Sequence, residues 1–136
     1  MERVIPLFIR RIAADQPITI FGADKVLDFT YVDDCVDGIA RGVVALATGR
    51  VKNETVNLAC GQGHTLVRMA ELAGQALGKT PQITLAPTQL GEVTRYVADI
   101  SKAKALLGYA PQVPLEAGIP SAVAWCREWD AGIGKA

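Results

Sequence analysis

The side chains that could do chemistry are few, and their spacing fits neither a metal site nor a nucleophile site. The 136-residue sequence contains one histidine, His64, and three cysteines, Cys35, Cys60 and Cys126, which form no Cys-x-x-Cys pair. A metal site would therefore be built almost wholly of carboxylates, and a Cys/His pair would need a distant cysteine beside His64. We predict neither site, and we interpret His64 as a residue at a helix start.

Two short motifs suggest chemistry but have simpler structural interpretations. Gly61-Gln62-Gly63 resembles a phosphate-binding loop, yet Leu66 stands where G-x-G-x-x-G requires its third glycine. We interpret the motif as a tight turn between a strand and a helix. Asp33 and Asp34 could form an acid/base pair, but a helix N-terminus stabilises such carboxylates as anions. We expect one of them to be the N-cap of a helix.

Composition limits the partners of the chain. Lys plus Arg and Asp plus Glu number 14 each, so the net charge is zero and nucleic acid is a poor partner. Three cysteines, odd in number and widely spaced, argue against a disulfide framework and fit a reducing cytoplasm. No apolar run reaches the roughly 18 residues of a membrane helix. The length suits a single domain over residues 1–136.

Apolar periodicity alternates between helical and extended patterns, which predicts an α/β fold. The predicted strands are Ile18–Phe21, Leu27–Val32, Glu54–Leu58 and Gln82–Ala86. The predicted helices are 36–47 before Gly49, 66–77 between a Thr65 cap and a Gly78 exit, 100–107 between an Asp99 cap and Gly108, and 119–129 with Pro120 in its first turn.

An additional helix at the start of the chain is apolar on two faces. Phe8 and Ile12 mark one face, and Ile5 and Ile9 mark the opposite one. Such a helix must be buried on both sides. We favour a missing neighbouring domain as the cover for the second face, and we expect this face or the apolar side of 36–47 to drive homo-oligomerisation.

Several motifs, taken together and in order, resemble the extended short-chain dehydrogenase/reductase family, the NAD-dependent epimerases and dehydratases of nucleotide-linked sugars. ITIFG (18–22) resembles the uridine-binding strand of that family, and LDFTYVDD (27–34) resembles its RDFxYVxD motif. The stretches TVNLACGQGHTLVRMAEL and LGEVTRYVADISKAKALLGYAPQVPLEAGI resemble later family signatures. The resemblance implies the substrate-binding C-terminal portion of the fold, a small mixed sheet of short strands with packed helices, lacking most of the Rossmann domain.

The resemblance also implies which residues contact a nucleotide-sugar, expected to be a UDP-sugar. Thr19 and Phe21 correspond to residues that flank the uracil ring, and Glu92 to an acidic residue that holds ribose hydroxyls. Val4 corresponds to a residue close to the nucleotide, and Tyr96 to one that shapes the sugar pocket.

The sequence departs from the family pattern at two phosphate-binding positions. Leu27 and Gln89 stand where the family has arginines that bind the diphosphate. Because neither residue supplies a cationic fork, the affinity for diphosphate must fall or be restored by Lys25, Arg3 or Arg95. We favour Lys25, since it lies in the adjacent turn. Alternatively, the chain binds a different nucleotide-sugar or has lost the catalytic role.

Neither the NAD fingerprint nor the catalytic pair of the family is found in this sequence. Tyr31, Tyr96 and Tyr109 are not followed by lysine four residues later, so no Tyr-x-x-x-Lys motif exists. We therefore expect a substrate-binding domain that is not competent alone, with NAD and the catalytic residues supplied by a missing N-terminal Rossmann domain. A stand-alone binding or regulatory module and a fragment without a ligand remain alternatives.

Overall fold

The structure is a computed structural model that describes residues 3–88, 91 and 93–132. Its elements are α1 (Val4–Ala13), β1 (Ile18–Phe21), β2 (Val26–Asp28), α2 (Val32–Ala47), β3 (Gly63–Thr65), α3 (Leu66–Leu77), β4 (Ile83–Ala86), β5 (Arg95–Tyr96), α4 (Ser101–Leu107) and α5 (Leu115–Asp130). Short strands alternate with helices, which confirms the predicted α/β class. None of the described helices is long and apolar enough to cross a membrane.

The described strands form two small sheets. β1 pairs with β4 in parallel, whereas β2 lies between antiparallel β3 and parallel β5. The chain passes from the first sheet to the second through a turn in which the Lys25 N–H donates to the Gly22 carbonyl at 3.1 Å. The predicted small mixed sheet is therefore divided into a parallel pair and a mixed triplet.

The main hydrophobic core lies among α1, α3, α5 and the inner face of β1. Burial of each large apolar side chain there stabilises the fold by about 1.5–3 kcal/mol. Its largest fully buried members include Ile9, Ile18, Ile20, Met69 and Ile119.

A second, smaller core joins α2 to α4 and the loop that follows α4. Its buried members are Ala45, Ile100, Ala103, Leu107 and Tyr109. α2 approaches this core closely at Gly38, where an added Cβ would lie 2.6 Å from a Leu58 methyl. The close approach explains why a glycine stands in the middle of a helix, where it would otherwise be unfavourable.

The expectation that a missing domain covers the second apolar face of α1 is wrong. Ile9 is only 2% exposed and Ile5 is partly buried against the main core. The reason is that α1 contacts both α3 and α5, so the same chain covers both of its apolar faces. The apolar side of α2, in contrast, is exposed as expected.

Two predicted strands differ from the structure. The second strand ends at Asp28 rather than Val32, since α2 already begins at Val32. The segment 54–58 forms no strand. The Asn57 amide donates to the Asp99 carbonyl, and Leu58 packs against the second core. Side-chain contacts therefore hold this segment in place without backbone pairing to another strand.

Three predicted helix ends agree with the structure, and a fourth differs by one residue. Thr65 Oγ1 accepts the N–H of Arg68 at 3.1 Å, and Gly78 is left-handed with φ of 68°, which confirms the cap and exit of α3. Asp99 Oδ1 accepts the N–H of Ser101, the first residue of α4, at 2.8 Å, but the N-cap of α4 is Ile100 and not Asp99 as predicted. Gly108, also left-handed, ends α4.

The last helix begins earlier than predicted. α5 starts at Leu115, so Pro120 lies inside the helix and not in its first turn. A proline there removes one hydrogen bond to the preceding turn. The extra turn buries Leu115, which is 5% exposed, and this burial offsets the loss.

Candidate functional site

The predicted nucleotide-binding residues begin on the outer face of β1. Ile18 and Ile20 are buried, whereas Thr19 and Phe21 face outward, and Phe21 is 40% exposed. This alternation confirms the pattern expected from the sequence, because successive strand residues point to opposite faces. Phe21 is therefore not a core residue, and its ring is available to a ligand.

The neighbouring strand leaves room beside the Phe21 ring. In the parallel register, Thr19 is paired with Thr84 and Phe21 with Ala86. Paired residues share one face of a sheet. Because both neighbours are small, a flat ring system could stack on Phe21 without displacing them.

A turn at the end of β1 places Lys25 next to the two sheets. Gly22 has φ of 76°, and its N–H donates to the Ala86 carbonyl at 2.9 Å. A Cβ on Gly22 would lie 2.5 Å from Thr88 Oγ1 and 3.6 Å from Lys25 Cε, so the turn requires glycine. Lys25 itself is 8% exposed. Its proposed contact with phosphate stays a prediction.

The second sheet brings Tyr96 beside Leu27. Leu27 is paired with Tyr96 on β5 and with His64 on β3, so the three side chains form a row on one face. Tyr96 is 68% exposed. His64 lies in β3, two residues before α3, and not at the helix start itself. The sequence alone gave no sign that His64 neighbours the position of the expected arginine.

The remaining predicted site residues are not gathered there by any described contact. Val4 is the first residue of α1 and packs, partly buried, against the main core. Gln89 and Glu92 lie outside the described residues. Their roles, like those of the other site residues, stay predictions.

Asp28 organises the backbone next to the second sheet. Its carboxylate accepts three backbone N–H groups, those of Cys60 at 3.1 Å, Gly61 at 2.9 Å and Ala98 at 3.2 Å. The Thr30 hydroxyl also accepts the Cys60 N–H. Our sequence reasoning missed this function of Asp28, although an aspartate inside a strand is unusual enough to have indicated it.

Asp34 has a role different from the predicted cap. α2 begins after Tyr31, and no side chain of the described residues caps it. Asp34 is 7% exposed, and its carboxylate accepts the N–H groups of Gln112 at 2.8 Å and Val113 at 3.0 Å. The carboxylate therefore ties α2 to the segment before α5 instead of capping its own helix.

The pKa values of two ionisable groups beside these aspartates are raised. Burial, and then the charge of Asp28, raises the pKa of the Cys60 thiol. Burial, and then the charge of Asp34, raises the pKa of Tyr109, whose hydroxyl donates to the Ala59 carbonyl at 3.0 Å. Because a thiolate is the reactive form of cysteine, a raised pKa makes the Cys60 thiol less reactive.

The Gly61-Gln62-Gly63 motif does not form a dinucleotide cradle. A Cβ on Gly61 would meet Ile100, and one on Gly63 would meet Val26 and Val97, so the chain's own side chains fill the space. The residues present thus do not fit the pyrophosphate of NAD. No cluster of three or more metal-ligating side chains occurs among the described residues.

An apolar groove of about 460 Å³ lies away from β1, between α1, α5 and the start of α2. We call it the Trp125 groove. Its lining includes Ile5, Phe29, Tyr31, Val32, Gly118 and Trp125. The stacked rings of Trp125 and Trp129, with centroids 5.4 Å apart, stand at its edge on α5. The groove offers few polar groups, so it is suited to an apolar surface more than to a nucleotide.

Comparison with known proteins agrees with the fold. Residues 1–122 match the family model of GDP-mannose 4,6 dehydratase. The chain therefore belongs to this family, among the NAD-dependent epimerases and dehydratases of the extended short-chain dehydrogenases/reductases.

Individual relatives act on nucleotide-sugars. The chain is 34% identical over 127 residues to UDP-glucuronic acid decarboxylase 1 of Xenopus tropicalis, covering 93% of this chain and 29% of that protein. It is 34% identical over 123 residues to UDP-glucuronate 4-epimerase of Thermodesulfobacterium geofontis, covering 89% of this chain and 36% of the relative.

Solved structures give the same result. The UDP-glucose 4-epimerase of Thermotoga maritima, solved with UDP-glucose, is similar with a TM-score of 0.81 and 30% identity, over 93% of this chain and 40% of that one. The UDP-glucuronic acid 4-epimerase of Bacillus cereus, solved with NAD, has a TM-score of 0.81 and 26% identity, over 96% of this chain and 40% of that one. The chain thus spans about a third of the length of these curated relatives and 40% of the similar structures.

Proposed function

We propose that the chain is the nucleotide-sugar-binding domain, over residues 1–136, of an NAD-dependent UDP-sugar epimerase, decarboxylase or dehydratase. The observation that carries this proposal is the exposed Phe21 ring, flanked by small side chains on the outer face of β1. A base stacked on an aromatic ring gains about 1–3 kcal/mol. The similar fold of an epimerase solved with UDP-glucose supports the choice of ligand.

The chemistry of the proposed reaction belongs to groups that this chain does not supply. When bound to an enzyme of this class, NAD provides hydride transfer. The Gly61 and Gly63 backbone is packed against the chain's own side chains, and no Tyr-x-x-x-Lys motif is in the sequence. We therefore propose that the chain alone binds but does not turn over a nucleotide-sugar, in the cytoplasm expected from its cysteines.

The affinity for UDP should be weak, since Leu27 lies where the family has a phosphate-binding arginine. The neighbours of Leu27 in the sheet, His64 and Tyr96, provide no permanent charge. We expect UDP to bind only slightly better than uridine, because the diphosphate gains no bidentate partner at this position. Lys25→Met would remove any remaining advantage of UDP if Lys25 is the substitute.

The test is an NMR titration of the chain with uridine and UDP. We expect shifts centred on Thr19 and Phe21, and about a tenfold or greater loss of affinity in Phe21→Ala, from the loss of stacking. Leu85→Ala is the matched control, because Leu85 is 57% exposed on the adjacent strand but is paired with Ile20 on the opposite face. No response at Thr19 and Phe21 at saturating UDP would contradict the proposal and favour a fragment without a ligand.

A further inference from the structure

His64 lies beside Leu27, the residue that stands in place of an expected phosphate-binding arginine. The two residues are paired in antiparallel register between β3 and β2, so their Cβ atoms are about 4.5–5.5 Å apart on one face of the sheet. Tyr96 is the neighbour of Leu27 on the other side, from β5. We call these three residues the Leu27 row. His64 is the member of the row whose side chain can carry a positive charge.

The imidazole of His64 is available to a ligand. His64 is partly buried, and no hydrogen bond joins its ring to another residue that the structure describes. Among the described residues that are not exposed, every side-chain nitrogen or oxygen that is shielded from solvent has a hydrogen-bond partner. The two ring nitrogens of His64 therefore reach solvent, where they can contact an anion.

The charged groups that face His64 come from α3 and α5. Glu116 lies in the first turn of α5, and the charge of His64 contributes to lowering its pKa. Arg68 of α3 donates to the Glu116 carboxylate at 3.1 Å, so a permanent cation already offsets this negative charge. Asp28 and Arg95 belong to the opposite face of the sheet, because successive strand residues alternate between faces.

We propose that His64 supplies the cation that binds the diphosphate of the nucleotide-sugar, in place of the arginine that Leu27 replaces. This inference rests on the proposed function, which lays the base on Phe21. Only the turn 22–25 separates β1 from β2, so a diphosphate attached to a base on Phe21 comes within reach of the Leu27 row.

A histidine in this role makes diphosphate binding depend on pH. An imidazole is a cation only when protonated, and histidine changes charge between about pH 5 and pH 8. The gain in affinity is therefore present at low pH and is lost as the pH rises. The alternative cation, a lysine at position 25, would give a gain that is constant over this range, since an ordinary lysine stays charged throughout it.

Other titrating groups near the sheets do not produce the same pH dependence. His64 is the only histidine in the sequence. The pKa of Glu116 is lowered by its own backbone N–H and by Arg68, whereas burial raises the pKa values of Cys60 and Tyr109. These shifts move all three groups away from the range in which histidine titrates.

The test is an NMR titration with UDP-glucose and with uridine, at about pH 5.5 and about pH 8, on either side of the range of histidine. UDP-glucose is the probe because both ends of its diphosphate are esterified, whereas a terminal phosphate such as that of UDP changes charge near pH 6. We expect UDP-glucose to bind about fivefold more tightly at the lower pH, as for a partly exposed ion pair. Uridine should bind equally at both pH values.

Three variants assign the pH dependence to its source. His64→Gln should bind UDP-glucose equally at both pH values, because the amide stays neutral. His64→Arg should bind it tightly at both, because a guanidinium keeps its charge. Lys25→Met should retain the pH dependence of the wild-type chain. Circular dichroism at both pH values checks that each variant is folded.

The results separate a failure of this role from a failure of the proposed function. If both ligands shift Phe21 but UDP-glucose binds equally at the two pH values, or if His64→Gln keeps the pH dependence, the role of His64 is overturned and the proposed function stands. If neither ligand binds at either pH, both are overturned.

Discussion

The Oδ2 atom of Asp28 accepts the backbone N–H of Gly61 at 2.9 Å, across 33 positions of the chain. The same oxygen accepts the N–H of Ala98, and Oδ1 accepts that of Cys60. One side chain therefore satisfies the backbone of two separate loops beside β2. Since a partly buried N–H without a partner is costly, this carboxylate fixes the position of the loops as well as stabilising them.

We expect Asp28→Ala to lower the free energy of unfolding by about 2–4 kcal/mol, because three N–H groups lose their acceptor. Urea denaturation would measure the change. Asp24→Ala is the control, since Asp24 is exposed in the turn before β2 and should change stability by no more than about 0.5 kcal/mol. Equal stability of the two variants would contradict this role for Asp28.

Adjacent aspartates on α2 should respond very differently to mutation. Asp34 holds the backbone of Gln112 and Val113, whereas Asp33 is exposed. We expect Asp34→Ala to cost about 2–3 kcal/mol of unfolding free energy, and Asp33→Ala less than about 0.5 kcal/mol. Thermal denaturation of the two variants would measure these losses of stability. A larger loss for Asp33→Ala would support the capping role that the sequence suggested.

Two glycines on α2 form another matched pair. An added Cβ at Gly38 would lie 2.6 Å from a Leu58 methyl and 3.1 Å from the Tyr109 ring. At Gly42, the nearest atom outside the backbone of α2 is a Leu107 methyl at 4.0 Å. We expect Gly42→Ala to stabilise the chain by up to about 1 kcal/mol through helix propensity. Gly38→Ala should destabilise it by about 1–3 kcal/mol through overpacking. Chemical denaturation would measure both changes. A gain of stability in both variants would contradict the prediction and show that the Leu58 side chain can move aside at little cost.

Hydrogen bonds from the Ser101 side chain and backbone hold the pKa of Asp99 below its ordinary value. A carboxyl group whose pKa is lower in the folded state stabilises the fold above its unfolded pKa, and this contribution is lost as pH falls through the folded value. We expect Ser101→Ala to raise the pKa of Asp99 toward the ordinary value, as measured by NMR of the carboxyl carbon. Glu116, whose pKa is lowered by its own backbone and by Arg68, should titrate unchanged.

Local sequence signals were sufficient where a single residue decides the local structure. Thr65 and Gly78 end α3 as predicted, and Ile18 to Phe21 form the strand that their alternation indicates. Glu54 to Leu58 had the same kind of signal but form no strand. Strand-forming residues become a strand only where another strand is available to pair, and propensity does not contain that information.

The candidate site also contains some features that the sequence predicted and others that it could not predict. The family resemblance indicated Thr19 and Phe21 as site residues, and the alternation along β1 predicted that both face outward. The structure confirms this outward direction. The row of His64, Leu27 and Tyr96 was not predictable, because it joins three segments through the register of a sheet. The sequence could not assign Asp28 and Asp34 their partners for the same reason, since those partners lie 30 or more positions away.

The sequence by itself determined the family, the α/β class, the helix caps of α3 and the outward face of β1, because each depends on the order of neighbouring residues. Only the tertiary structure decided which apolar helix face stays uncovered. α1 and α2 both looked apolar beyond the needs of a surface helix, but α3 and α5 enclose α1, whereas α2 packs one side on α4 and leaves Val36 and Ile39 exposed. Burial depends on which elements meet in space, and a one-dimensional pattern records only that a face is apolar.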